Sequence, residues 1–291
     1  MPELPEVETT VRYLKDKIIG QKIVGLDFDT PNLIKKPSPE ELKRQIVGKK
    51  ITKIERKGKN ILIYLNQDYL LLIHQKLTGH LLYGKWQKEK GKWLPQEKNS
   101  PLFLDRQNRF IHFLLFLANG KMLALSDLRK FAKIIFAKKE EVLNSDDLKT
   151  LGPEPLSKEF TLAYFQKICQ KSNKPIKTLL MDQKLISGIG NIYSDEILWQ
   201  AKISPLRKAN SLKEKEIKVI YQKIKVVLKE AIKLQGTSIV DYRKPDGAKG
   251  EMDKFLKVYR KEGQKCPRCQ GIIKRVVING RSAHFCPKCQ K

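Results

Sequence analysis

The chain has 291 residues, long enough for a large core or for two to three smaller domains. Apolar residues make up 41% of it, which excludes a disordered chain, and 59 Lys and Arg against 31 Asp and Glu give a net charge of +28. A surplus of that size points to a polyanionic partner, with nucleic acid ahead of an anionic membrane surface.

The opening Met1-Pro2-Glu3-Leu4-Pro5-Glu6 is acidic and proline-rich and does not read as a signal peptide. The longest mostly apolar stretch, Phe110–Ala118, is far shorter than a membrane span. The expectation is a cytoplasmic chain with reduced thiols and no membrane partner. A first helix is predicted from Pro5 onward, because Val7, Val11, Leu14 and Ile18 recur at helical spacing. Seven strand-like runs follow: 22–28, 50–57, 60–65, 69–74, 110–117, 121–126 and 133–136. With their turn signals they predict a two-layer β-sandwich over residues 2–136. The charged stretch 85–101 reads as an exposed loop.

Residues 137–158 read as a linker ending in the breaker Leu151-Gly152-Pro153-Glu154-Pro155. A helical domain is predicted over 159–235. Its last helix shows a Ser211/Glu214 capping box, an apolar face from Ile217 to Ala231, and Gly236 as its stop. Cys169 lies alone on an apolar helix face and reads as core. Residues 236–262 are rich in Gly, Lys and Asp and read as a mobile loop.

The last element, 263–291, holds Cys266-x2-Cys269 and Cys286-x2-Cys289, separated by sixteen residues. Two such turns complete a tetrahedral thiolate shell, so one structural zinc ion is expected. Asn279-Gly280 between two strand-like runs predicts a hairpin with Arg281 at its tip. Four thiolates leave no open coordination position, so this metal is not catalytic.

At the other end, a small second residue favours removal of Met1, which exposes the secondary amine of Pro2. An α-amine titrates at roughly 7.7–8.0, so part of it is neutral and nucleophilic near pH 7. Glu3 and Glu6 stand beside it as candidate proton carriers. On composition alone, an acidic first helical turn explains the same residues. Gly188-Ile189-Gly190-Asn191 opens another helix, where backbone N–H groups can approach a phosphate. It is not a dinucleotide fingerprint, since no strand precedes it and the third glycine is missing.

Met1-Pro2-Glu3-Leu4-Pro5-Glu6-Val7-Glu8-Thr9 resembles the opening of bacterial formamidopyrimidine-DNA glycosylases. So do Leu151–Leu156, Leu180-Met181-Asp182-Gln183, Gly188–Tyr193 and the terminal zinc finger. The resemblance implies an α+β multidomain chain: a β-sandwich with an N-terminal helix, a helix–two-turns–helix DNA-binding domain, and a zinc-finger hairpin. It implies a glycosylase and abasic-site lyase of base excision repair, acting on oxidised purines in duplex DNA through a Schiff base and β,δ-elimination. Pro2 then resembles the nucleophile and Glu3 the general acid, with Glu6 in support. Lys59 and Arg281 complete the catalytic set.

His74, His112 and Asn191 resemble DNA contacts, although Arg109-Phe110-Ile111-His112 departs from the family's usual Lys-His-x-His. Leu77, Arg129 and Phe131 resemble the residues that fill the gap left by a flipped base. Leu77 stands where the family usually has Met. Residues 236–262 resemble the loop that covers the extruded lesion. The expected partner is damaged double-stranded DNA, bound by a monomeric, nucleoid-associated bacterial protein. Two alternatives remain at this stage: an endonuclease VIII-like enzyme for oxidised pyrimidines, against which Leu4 argues, and a non-enzymatic zinc nucleic-acid-binding protein.

Overall fold

Pro5 needs no donor in the first turn of a helix, and the apolar stripe behind it sets the rest of the helix Leu4–Ile18. In the computed structural model, which describes residues 1–291, Val7, Val11, Leu14 and Ile18 on that stripe are all buried. The chain divides into two compact units. One joins Met1–Lys149 to Leu234–Asp253, and the other joins Thr150–Lys233 to Lys254–Lys291.

The first unit is the predicted sandwich. Its strands are β1 (Ile23–Phe28), β2 (Ile34–Lys36), β3 (Ile51–Lys57), β4 (Asn60–Leu65), β5 (Tyr69–His74), β6 (His80–Gly84), β7 (Trp86–Glu89), β8 (Lys92–Pro95), β9 (Ile111–Leu117), β10 (Met122–Ser126) and β11 (Lys133–Lys138). One sheet runs β1-β9-β10-β6 and the other β2-β11-β5-β4-β3. All neighbours are antiparallel except β2 and β11. Period-two alternation explains the layers. In β9, Phe113, Leu115 and Leu117 face the main core with Ile61, Ile63, Leu71, Ile73 and the first helix. Leu114, on the opposite face, joins Leu82, Ala124 and Trp86 in a second cluster.

That second cluster corrects the reading of 85–101 as a loop. Strands β7 and β8 form a hairpin whose turn, Lys90-Gly91, has φ of 47° and 80°. Positive φ at both central residues matches the twist of a two-residue hairpin turn. Trp86 is buried to 1% exposure beneath it. The many charges of the segment lie on the outward face and masked the alternation.

In the second unit, helices Ile176–Met181 and Asn191–Ala201 are joined by two turns. The Gln183 side chain ties them: its Nε2 donates to Met181 O (2.8 Å) and Ile189 O (2.7 Å), and its Oε1 accepts from Gly188 N (2.8 Å). A Cβ on Gly152 would meet the backbone of Leu185 at 2.5 Å, so the Leu-Gly-Pro segment packs directly against this loop. The long helix Glu214–Lys233 buries Ile217, Ile220, Ile224, Val227, Leu228 and Ala231, as its periodicity predicts. Tyr221 on the same helix stacks on Phe160 at 5.5 Å.

The predicted Ser211/Glu214 capping box does not form. Ser211 lies in a 3-10 turn and donates to Lys208 O, while Glu216 caps the helix by accepting from Lys213 N (2.8 Å). The helix stops at Lys233, three residues before Gly236. Cys169 is fully buried core, and burial pushes its thiol up to about 12. Strands β12 (Lys274–Ile278) and β13 (Arg281–Phe285) form the C-terminal hairpin through Asn279-Gly280. No helix is long and apolar enough to cross a membrane.

Candidate active site and nucleic-acid interface

The start of the chain is buried in the first unit, with Glu3 at 2% exposure, Glu6 at 1% and Lys59 at 7%. Glu3 N donates to Glu6 Oε2 (2.8 Å), closing the first helical turn. The other carboxylate oxygen, Glu6 Oε1, accepts from Thr237 N (2.7 Å) and Thr237 Oγ1 (3.3 Å). Tyr242 Oη donates to Glu6 O (3.1 Å). Gly236, with φ of +77°, makes this approach possible, since a Cβ there would stand 2.7 Å from Glu6 Oε1. Glycine is needed on both counts, conformation and space. Its role in the site therefore replaces the helix-stop role read from sequence.

Burial holds the N-terminal amine, carried here by Met1, below its ordinary value. Glu3, Glu6 and Asp241 pull it back upward, and Lys59 pushes it further down. Three acids and one lysine thus surround the chain start. Desolvation favours the neutral, nucleophilic form of an amine. Asp241 had no signal in the sequence, because only the return of 234–253 to this unit brings it there.

Lys59 sits in the turn between β3 and β4, where Gly58 has φ of 59°. Arg56 braces that turn against the first helix: its Nη1 donates to Gly58 O (3.1 Å) and its Nε to Glu8 Oε2 (2.8 Å). Asn60 pairs in register with His74 on β5. His74 Nδ1 accepts from Lys76 N (2.9 Å), so the proton of the neutral ring is on Nε2. Burial, then the charges of Lys76 and Lys59, push His74 down to about 3, so it is a neutral donor at pH 7. Beside it, Asn60 Oδ1 and both amide atoms of Gln75 are buried without a protein partner. Gln75 was not singled out by its sequence context, which offers only a polar residue in a turn.

Phe131 is 51% exposed and Arg129 is exposed with its guanidinium 4.9 Å from the Phe131 ring. Leu77 is half-buried. None of the three is core, although Leu and Phe near strand ends usually are. His112 lies elsewhere on the unit. Its Nδ1 is 2.7 Å from Asp29 Oδ1, and it lines a cleft of about 530 Å³ with Trp93, Arg106 and Arg109.

In the second unit, the sulfur atoms of Cys266, Cys269, Cys286 and Cys289 lie within 4.8 Å of one another. Sulfurs ~2.3 Å from a tetrahedral ion stand roughly 3.8 Å apart, so the cluster fits zinc. Trp199 Nε1 donates to Cys266 Sγ (3.4 Å), and Arg268 stacks over the indole at 4.0 Å. These four cysteines are the ligands of one structural zinc ion.

The hairpin is also tied to helix Asn191–Ala201. Asp195 Oδ2 accepts from His284 N (2.9 Å) and lies 3.0 Å from His284 Nδ1, and Asp195 Oδ1 pairs with buried Lys177 (2.6 Å). Asn191 Nδ2 donates to Ser282 Oγ (3.1 Å), next to exposed Arg281. Asn191 Oδ1 is left buried without a protein partner. The hydrogen bond from Asn191 to Ser282 therefore holds the helix N-terminus beside the hairpin residue that precedes it, the exposed cation Arg281.

Three family models match the chain. They are the formamidopyrimidine-DNA glycosylase N-terminal domain over 1–134, the formamidopyrimidine-DNA glycosylase H2TH domain over 151–243, and a zinc finger found in FPG and IleRS over 263–291. The formamidopyrimidine-DNA glycosylase of Pelotomaculum thermopropionicum is 38% identical, covering 100% of this chain and 99% of its own. That of Streptococcus mutans is 39% identical with both chains fully covered. A mutant Lactococcus lactis enzyme solved with Fapy-dG-containing DNA superposes with a TM-score of 0.88 at 35% identity, with both chains fully covered. Another Lactococcus lactis complex, with abasic-site DNA, gives 0.86 at 36% identity over 99% of each chain. The chain is a member of the formamidopyrimidine-DNA glycosylase family, a DNA glycosylase of base excision repair.

Proposed function

We propose that this glycosylase removes oxidised purines, 8-oxoguanine and formamidopyrimidines, from duplex DNA and then cleaves the strand as a lyase. The observation that carries the reading is the buried chain start held among Glu3, Glu6, Asp241 and Lys59. Once Met1 is removed, the Pro2 nitrogen attacks C1′ of the damaged nucleotide. The bond from C1′ to the base breaks and the base leaves with the bonding pair, taking up a proton. Glu3 protonates O4′ as the sugar ring opens, which leaves an iminium between Pro2 and C1′. The iminium is an electron sink. Loss of a C2′ proton expels the 3′ phosphate, and a second elimination expels the 5′ phosphate. Water then hydrolyses the iminium and frees Pro2.

The base must leave the duplex first, at a cost of a few kcal/mol. In this reading Leu77, Arg129 and Phe131 occupy the gap, and part of 236–262 covers the lesion. Lys59, His74, Asn191 and Arg281 hold phosphates, as their donors and the +28 charge favour. His112, paired with Asp29, serves at most an outlying phosphate. The enzyme acts as a monomer.

Arg129 supplies the test. An orphaned cytosine offers O2 and N3 as acceptors, which fit the guanidinium fork, whereas adenine turns its N6 donor toward it. A mismatch of this kind costs about 1–3 kcal/mol, or roughly tenfold to a hundredfold. Wild type should therefore excise 8-oxoguanine faster opposite dC than opposite dA under single-turnover conditions. Arg129→Ala should slow excision opposite dC and shrink the ratio. An unchanged ratio in the variant would remove Arg129 from partner-base reading.

A further inference from the structure

Buried polar groups beneath the half-buried Leu77 and the exposed Arg129 and Phe131 link the two loops that carry them. Asp127 is fully buried, and the turn 127–132 winds around its carboxylate. Its Oδ2 accepts from Phe131 N (2.8 Å) and Ala132 N (2.7 Å), and its Oδ1 from Arg129 N (3.3 Å). The Thr78 hydroxyl donates to Asp127 Oδ1 and itself accepts from Arg129 N (3.0 Å). Thr78 directly follows Leu77, in a loop so tight that a Cβ on Gly79 would meet Gln75 O at 2.5 Å.

A second buried polar group lies deeper in the same unit. His80 Nε2 lies 3.1 Å from Asn108 Oδ1. The Asn108 amide donates to Pro101 O (2.9 Å) and Gly247 O (3.0 Å), which fixes its orientation and leaves the His80 proton on Nε2. Gly247 belongs to the segment that brings Thr237 to Glu6. All four side chains are at most 5% exposed. A carboxylate buried this deeply is tolerated only when its lone pairs are used, and here N–H and O–H donors use them.

We propose that Asp127 and Thr78 are positioning residues that set Leu77, Arg129 and Phe131 as one rigid plug before DNA arrives. The inference rests on the reading that these three side chains fill the gap in the duplex. A plug ordered in advance loses no loop entropy on insertion. It also presents the Arg129 fork at a fixed angle, on which discrimination of the opposite base depends.

The test uses full-length Asp127→Asn, Thr78→Val and Thr78→Ser. Asparagine keeps the shape of Asp127 but turns a donor toward the Thr78 hydroxyl or the turn amides. Valine removes only the hydroxyl, and serine restores it. Two readouts apply: hydrogen exchange of the 128–132 amides without DNA, and single-turnover excision of 8-oxoguanine opposite dC and dA.

Asp127→Asn and Thr78→Val should speed exchange and lower the dC-to-dA ratio, each by about tenfold, the worth of one charge-assisted hydrogen bond. Thr78→Ser should keep both near wild type, and Arg129→Ala should lower the ratio no further in the Asp127→Asn background. Unchanged exchange in both disruptive variants overturns the proposal, as does faster exchange with an unchanged ratio. If Asp127→Asn does not fold, Thr78→Val decides. Wild type that excises neither duplex refutes the functional reading instead, and the exchange data still decide whether the two residues fix the turn.

Discussion

Protein that keeps Met1 is expected to form no covalent adduct with lesion DNA and to lose strand cleavage by on the order of 10³-fold or more, as when a nucleophile is removed. With Met1 in place the Pro2 nitrogen is part of a peptide bond and has no lone pair to offer. The residues proposed to hold DNA do not depend on that nitrogen. Arg281 and Asn191 sit on the second unit, and His74 is fixed by its bond from Lys76 N. Lesion binding should therefore survive with little change. Pro2→Gly, with Met1 removed, should keep a weakened route through a primary amine. Borohydride trapping and a binding titration on the same duplex check both halves. Full cleavage by protein shown by mass to retain Met1 would exclude Pro2 as nucleophile.

The second large effect concerns the metal. Cys266→Ser should lose zinc and most DNA affinity while the β-sandwich stays folded. Structural zinc sites contribute roughly 10–16 kcal/mol of apparent binding free energy at pH 7, far more than the hydrogen bonds around this one. Cys266 is fully buried under Trp199, so a serine there leaves the thiolate shell incomplete in a site that solvent does not reach. The hairpin carrying Arg281 then depends on its hydrogen bonds to Asp195, Asn191 and Thr178. For every phosphate that the protein no longer neutralises, the slope of log K against log salt should fall by about 0.9. Metal content, a salt series of anisotropy titrations and thermal unfolding give the three readouts. Zinc-free variant with unchanged affinity and slope would contradict a structural role for the ion.

Much of the fold could be read from the chain because its signals are local. The first helix carries a single apolar stripe, the strands are short apolar runs bounded by turn signals, and the four cysteines are grouped in two pairs. The misses have tertiary causes. Trp86 lies in a run of lysines, and only the cluster with Leu82 and Leu114 shows why the hairpin folds down. Ser211 has capping spacing to Glu214, yet Glu216 pairs with Arg207 and takes the cap two residues later. Gly236 looked like a helix stop, but its absent side chain is what admits the Glu6 carboxylate. At the candidate site, Glu3, Glu6 and Lys59 were named through the resemblance, and the structure gathers them at the chain start. Asp127, Thr78, Asn108 and Asp241 were not, since each acts through a partner distant in sequence. A polar residue that spends all its hydrogen bonds on remote backbone looks in the sequence like any solvated side chain.

The most direct measurement is borohydride trapping of Met1-processed protein on duplexes bearing 8-oxoguanine opposite dC or an oxidised pyrimidine, followed by mass spectrometry of the adduct peptide. The proposed mechanism requires a trapped adduct on the 8-oxoguanine duplex, with the sugar remnant on the peptide that begins at Pro2. An adduct with the pyrimidine duplex alone would transfer the activity to oxidised pyrimidines. No adduct with either duplex, or one on Lys59 or any other side chain, would contradict Pro2 chemistry outright.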